Sequence, residues 1–132
     1  AESVWQIVRE GLDLAVSEEG TGKRADIPEL GINVAGKTGT AEYCDDIALK
    51  AGRCDVAKGQ TLPTHAWFAA YAPFEAPEIV VIAWIYDGGE GSTRAAPVVH
   101  DILDFYFRRS LGLLDQPESD ASPDTAPAEA AP

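Results

Sequence analysis

The stretch Val34-Ala35-Gly36-Lys37-Thr38-Gly39-Thr40-Ala41-Glu42 can be read in two ways, and the choice between them decides the fold. With the residues before it, Gly31-Ile32-Asn33-Val34-Ala35-Gly36-Lys37-Thr38 matches the G-x4-G-K-[ST] phosphate loop letter for letter. A phosphate loop works because a helix begins at its end, aiming free amide hydrogens and a positive dipole at the phosphates. Here Lys37 is succeeded by Thr-Gly-Thr-Ala-Glu-Tyr-Cys-Asp-Asp, which begins no amphipathic helix, whereas Ile32, Val34 and the small residues beyond them alternate as a strand does. A strand through Lys37-Thr38-Gly39-Thr40 would line up an ammonium, two hydroxyls and a backbone amide, with glycine leaving one side open. Such a row suits a peptide carboxylate and a developing oxyanion. The run Ile79 to Asp87 ends in an acid, as a magnesium-binding strand would, so a nucleotide-binding module using residues 31–38 stays as the alternative.

Outward from this stretch, Ser3 and Gln6 fit a capping box, and Val4, Ile7, Val8, Leu12 and Ala15 recur at helical spacing. Residues 20–30 are rich in Gly, Lys, Arg, Asp and Pro and read as a loop. Residues 41–63 read as a long connection of mixed charge, of a length that compact domains keep for a functional or mobile loop. From His65 to Ala72 the pattern alternates, with Trp67, Ala69 and Tyr71 opposite Ala66, Phe68 and Ala70. The run from Glu78 to Asp87 is apolar on both faces, which predicts a strand covered above and below, with Trp67 and Trp84 as core aromatics. Pro73-Phe74-Glu75-Ala76-Pro77 is short enough to join these strands as an antiparallel hairpin. After the turn Asp87-Gly88-Gly89-Glu90-Gly91, Pro97 suits the first turn of a last helix, whose apolar face is Val99, Ile102, Leu103, Tyr106 and Phe107. Arg108 and Arg109 favour its C-terminal dipole, and Gly112 can cap it. The fold class expected is α+β: an antiparallel three-stranded meander flanked by N- and C-terminal helices.

Composition sets the boundaries. Of 132 residues 45% are hydrophobic and 24% charged, which fits one globular domain. Residues 115–132 hold no aromatic or β-branched aliphatic residue to offset the entropy of ordering, and read as a disordered acidic Pro/Ala-rich tail beyond a domain spanning 1–114. Five acids and no base lie in that tail, so the formal charge of −12 becomes −7 for residues 1–114. A surface this acidic repels phosphate backbones, which argues against nucleic acid as a partner. No run approaches the roughly 20 apolar residues that span a bilayer, so any anchor or export signal of a longer parent protein is expected upstream of Ala1. Cys44 and Cys54 share the long connection, at a spacing compatible with a disulfide in an oxidising compartment or with two free thiols. A zinc site of His65, Cys44, Asp45 and Cys54 fits no standard ligand spacing, and no metal is expected.

Three segments in order, Val34 to Glu42, His65-Ala66-Trp67-Phe68-Ala69-Ala70-Tyr71-Ala72-Pro73, and Ala95-Ala96-Pro97-Val98, together resemble the end of a class B penicillin-binding transpeptidase of the elongation type, penicillin-binding protein 2. The resemblance covers about residues 4–111. It implies a partial penicillin-binding, β-lactamase-like fold, and a peptidoglycan D,D-transpeptidase that binds stem peptides and β-lactams and needs no cofactor. It further implies that Lys37 organises proton transfer around a serine, and that Thr38 and Thr40 hold a carboxylate beside Gly39. The Thr40 amide would form half of an oxyanion hole. The serine-x-x-lysine and serine-x-asparagine elements of that family are missing: Ser3, Ser17, Ser92 and Ser110 are followed three places on by Gln6, Gly20, Ala95 and Leu113, and Asn33 has Gly31 at the serine position two places before it. Both elements are therefore expected upstream, in the same protein, and this chain by itself is expected to be inactive. The family also implies a parent on the extracytoplasmic face of the bacterial membrane, working with a membrane glycan polymerase.

Overall fold

A computed structural model of the chain describes residues 2–57 and 59–114; the expected tail, 115–132, lies outside them. The elements in order are α1 (Glu2–Leu14), short 3-10 turns at Lys23–Ala25 and Pro28–Leu30, β1 (Ala35–Glu42), α2 (Asp46–Lys50), β2 (Thr64–Ala72), β3 (Ile79–Ile85) and α3 (Gly91–Ser110). The strands form an antiparallel sheet in the order β1-β2-β3, the expected meander. None of the described helices is long and apolar enough to cross a membrane.

Register assigns the faces. Phe68 stands opposite Thr38 on β1 and Ala83 on β3, so these three point to the same side. That side is the core: Ala66, Phe68, Ala70, Ala72, Val81 and Ala83 form one buried cluster with Ala95, Ala96, Val99, Leu103 and Phe107 of α3, which also takes in Val16, Ala25, Ile27 and Val34. Phe68 is fully buried, which contributes about 2–3 kcal/mol of transfer free energy. The helix ends in paired backbone bonds, from Gly112 N–H to Arg109 O and from Leu113 N–H to Arg108 O, that satisfy its last carbonyls.

Four local expectations are corrected. Helix α1 begins at Glu2, so Ser3 lies within it and does not cap it. Helix α3 begins at Gly91, which moves Pro97 from the first turn to the interior. The cause is Gly91 itself: a Cβ there would stand 2.0 Å from Trp67 O and 2.6 Å from Gly39 O, so only glycine lets the helix start directly on the β1–β2 ladder. The 41–63 connection contains α2, capped by Asp45, whose side chain accepts from Ala48 N–H at 2.8 Å. Finally, among the described residues β3 is covered on one face only. Val80, Ile82 and Trp84 are 68%, 63% and 50% exposed, and Trp67 and Trp84 face each other across the strands outside the core.

Candidate functional site

Strand β1 pairs with β2 alone among the described residues, so its other edge is open. In an antiparallel pair alternate residues turn their N–H and C=O groups away from the partner, and an edge strand presents those groups to whatever approaches. Lys37 and Thr40 are exposed on this strand, and Thr38 and Gly39 are half-buried. Lys37 Nζ donates to Thr38 O at 3.0 Å and to Thr38 Oγ1 at 3.3 Å, folding the ammonium back over its own strand. Glu42 closes the strand and is exposed. Residues 36–40 are thus extended, and no helix begins at Lys37, which removes the amide cradle that a phosphate loop over 31–38 requires. Gly31 instead ends the 3-10 turn Pro28–Leu30.

Beyond Glu42 the chain is tied down. Cys44 and Cys54 are joined in a disulfide across the α2 loop. Arg53 donates to the Tyr43 hydroxyl at 3.2 Å and pairs with Asp87 of the turn that precedes α3. Tyr86 Oη donates to Asp45 Oδ2 at 2.9 Å, and Asp87 N–H donates to His65 Nδ1 at 3.3 Å. The His65 ring stacks on Tyr43 with centroids 3.8 Å apart, so His65 and the two cysteines are committed to structure. Among the described residues no group of three His, Cys, Asp or Glu side chains is placed to hold a metal. The Ala48 amide foremost, with the Tyr86 hydroxyl, holds the Asp45 carboxyl below its ordinary range. Contact with Tyr43 foremost, then burial and Asp45, pushes the Tyr86 phenol up to about 12. The β1–β2 connection and the β3–α3 turn are therefore one hydrogen-bonded unit at the end of the strand.

This network leaves no trace in the sequence, because Arg53 and Asp87 are 34 residues apart and neither belongs to a motif. The α2 helix did leave a signal. Asp45 before Asp46-Ile47-Ala48-Leu49-Lys50 sets a cap and an acid at the start and a base at the end.

An antiparallel sheet backed by a C-terminal helix, with a Lys-Thr-Gly row on an open edge strand, is the architecture of the serine transpeptidases that bind penicillin. The family profile described as the penicillin binding protein transpeptidase domain matches residues 1–104, and the chain belongs to that family. Among characterised relatives, it is 33% identical over 112 residues to the peptidoglycan D,D-transpeptidase MrdA of Haemophilus influenzae, covering 83% of this chain and 17% of that protein. Among solved structures it is similar to the transpeptidase domain of the FtsI4 D,D-transpeptidase from Legionella pneumophila, with TM-score 0.61 and 29% identity over 81% of this chain and 36% of that one. It is also similar to the D,D-transpeptidase domain of a peptidoglycan glycosyltransferase from Eggerthella lenta, with TM-score 0.55 and 35% identity over 80% of this chain and 20% of that one. The chain thus spans a minor part of each of these relatives.

Proposed function

We propose that this chain is the Lys-Thr-Gly-bearing part of a peptidoglycan D,D-transpeptidase, with residues 1–114 forming a portion of its transpeptidase domain. The observation that carries the reading is the open edge of β1, where Lys37, Thr38 and Thr40 share one extended row within a matched transpeptidase segment. In the proposed reaction a serine from the rest of the domain attacks the carbonyl carbon of a D-alanyl-D-alanine stem peptide. An ester bond to the serine forms, the amide bond breaks, and the terminal alanine leaves with the proton taken from the serine. An amine of a second stem peptide then displaces the serine, which recovers its proton.

Each residue of the row has a part in this scheme. Lys37 organises the site around the serine and its proton transfers. The hydroxyls of Thr38 and Thr40 hold the terminal carboxylate, with Gly39 keeping the strand low beside it. The Thr40 amide is one donor of the oxyanion hole, a class of contact whose loss raises a barrier by about 3 kcal/mol. A β-lactam presents the same carbonyl and carboxylate and acylates the same serine. The parent works at the extracytoplasmic face of the membrane beside a glycan polymerase that supplies the strands to be linked.

Titration with a fluorescent penicillin and with ATP-magnesium, on this chain and on the complete protein, tests the reading. Covalent labelling of the complete protein alone, with no nucleotide bound by either, is the expected result. Nucleotide binding by this chain with no labelling of the complete protein would replace it with the nucleotide-module reading.

A further inference from the structure

We infer that Thr21 is a positioning residue for the Lys-Thr-Gly strand, directing the Thr38 hydroxyl toward the carboxylate of the ligand; this rests on the transpeptidase reading above. Thr21 lies in the turn between α1 and the first 3-10 turn, 17 residues from Thr38 in sequence, and its hydroxyl oxygen stands 3.4 Å from that of Thr38. It is exposed, and nothing in its own segment requires a threonine. Its backbone, by contrast, is fixed on both sides. Gly20 N–H donates to Ser17 O at 2.8 Å and Gly22 N–H donates to Ala15 O at 2.7 Å. Gly22 is buried against Phe68, where a Cβ would come within 2.8 Å of the ring. Phe68 is the cross-strand partner of Thr38. The same buried ring that seats the Thr38 position therefore seats the turn carrying Thr21, which keeps the two hydroxyls together without help from either side chain.

The hydrogen-bond inventory of Thr38 gives this contact its consequence. A hydroxyl has one proton to donate and two lone pairs to accept with. The Lys37 ammonium can only donate, and at 3.3 Å it takes one of the two acceptor positions. Either hydroxyl of the Thr21–Thr38 pair can donate; when a carboxylate takes the Thr38 proton, Thr21 is left to donate into the other lone pair, so both are occupied and the single Thr38 proton faces the open side of the strand. A carboxylate there can only accept, so it is met by a proton already facing it. Without the Thr21 hydroxyl only the Lys37 contact constrains the Thr38 hydroxyl, its proton has a second orientation open to it, and part of the binding free energy goes into selecting the one that faces the ligand.

The test uses the complete transpeptidase domain and a penicillin with a free carboxylate, with Thr21→Val and Thr21→Ser variants. For Thr21→Val the concentration of penicillin giving half-maximal acylation rate is expected to rise about fivefold, the effect of one lost hydrogen bond, while the maximal rate and the melting temperature stay near wild type. Thr21→Ser keeps the hydroxyl and restores wild-type behaviour. With the methyl ester of the same penicillin, which removes the carboxylate charge, Thr21→Val and wild type should react alike. Equal losses for acid and ester, equal losses in the valine and serine variants, or no loss in Thr21→Val would each overturn the inference. Failure of penicillin to label the wild-type domain at all is a different outcome, which overturns the transpeptidase reading and this inference with it.

Discussion

Lys37 shows how one residue type in one position sorts rival chemistries. Its ammonium is exposed on an extended strand and reaches back to Thr38 O and Thr38 Oγ1 at 3.0 and 3.3 Å, so it can serve a neighbour on the strand edge and cannot cap a helix-bound anion. Because the side chain is solvent-facing, its removal should spare the fold. In the complete protein Lys37→Ala is expected to slow acylation by a fluorescent penicillin at least about a hundredfold, in the range of a lost proton-transfer group, with an unchanged melting temperature. An acylation rate within a few-fold of wild type would take Lys37 out of the chemistry. The strand reading was legible here because the residues after Lys37 have no helical periodicity. Thr21 was not legible, because a threonine among Gly, Lys and Arg has no pattern of its own, and its meaning comes from Gly22 lying under Phe68.

Among the elements, the loop closed by Cys44 and Cys54 does the most with the least core. Its helix is five residues long, too short to be stable alone, and only Ala48 of the five is buried. What holds it is the disulfide, the Asp45 cap and the Arg53–Asp87 pair. The cysteines are 10 residues apart, and the loop-closure model gives such a bridge about 2.5–3 kcal/mol. Urea unfolding of the chain with and without reductant should therefore show a loss of that size, and coincident unfolding curves would contradict it. The meander was readable because a five-residue link between Ala72 and Glu78 leaves an antiparallel hairpin as the short route back. The start of α3 was not, since the residue that sets it, Gly91, is explained only by Trp67 and Gly39 on two other elements.

At the scale of the whole molecule, what stays uncovered is as informative as what is packed. The sheet face opposite α3 shows Val80, Ile82, Trp84 and Trp67, and α1 shows Val4, Trp5, Ile7 and Val8. Exposed apolar surface of this extent marks a contact surface in most proteins. A run apolar on both faces, as in β3, signals a strand made to be covered twice, although only one cover lies among the described residues. The chain spans 17% of the Haemophilus influenzae relative, and under the proposed function these uncovered faces are where the rest of the transpeptidase domain would pack. The most direct test is the crystal structure of the complete protein acylated by a penicillin. The acyl carbonyl oxygen is expected about 2.7–3.1 Å from the Thr40 amide nitrogen, with the ligand carboxylate on the Thr38 and Thr40 hydroxyls. An acyl group bound away from residues 37–40, with that strand edge left to solvent, would contradict it.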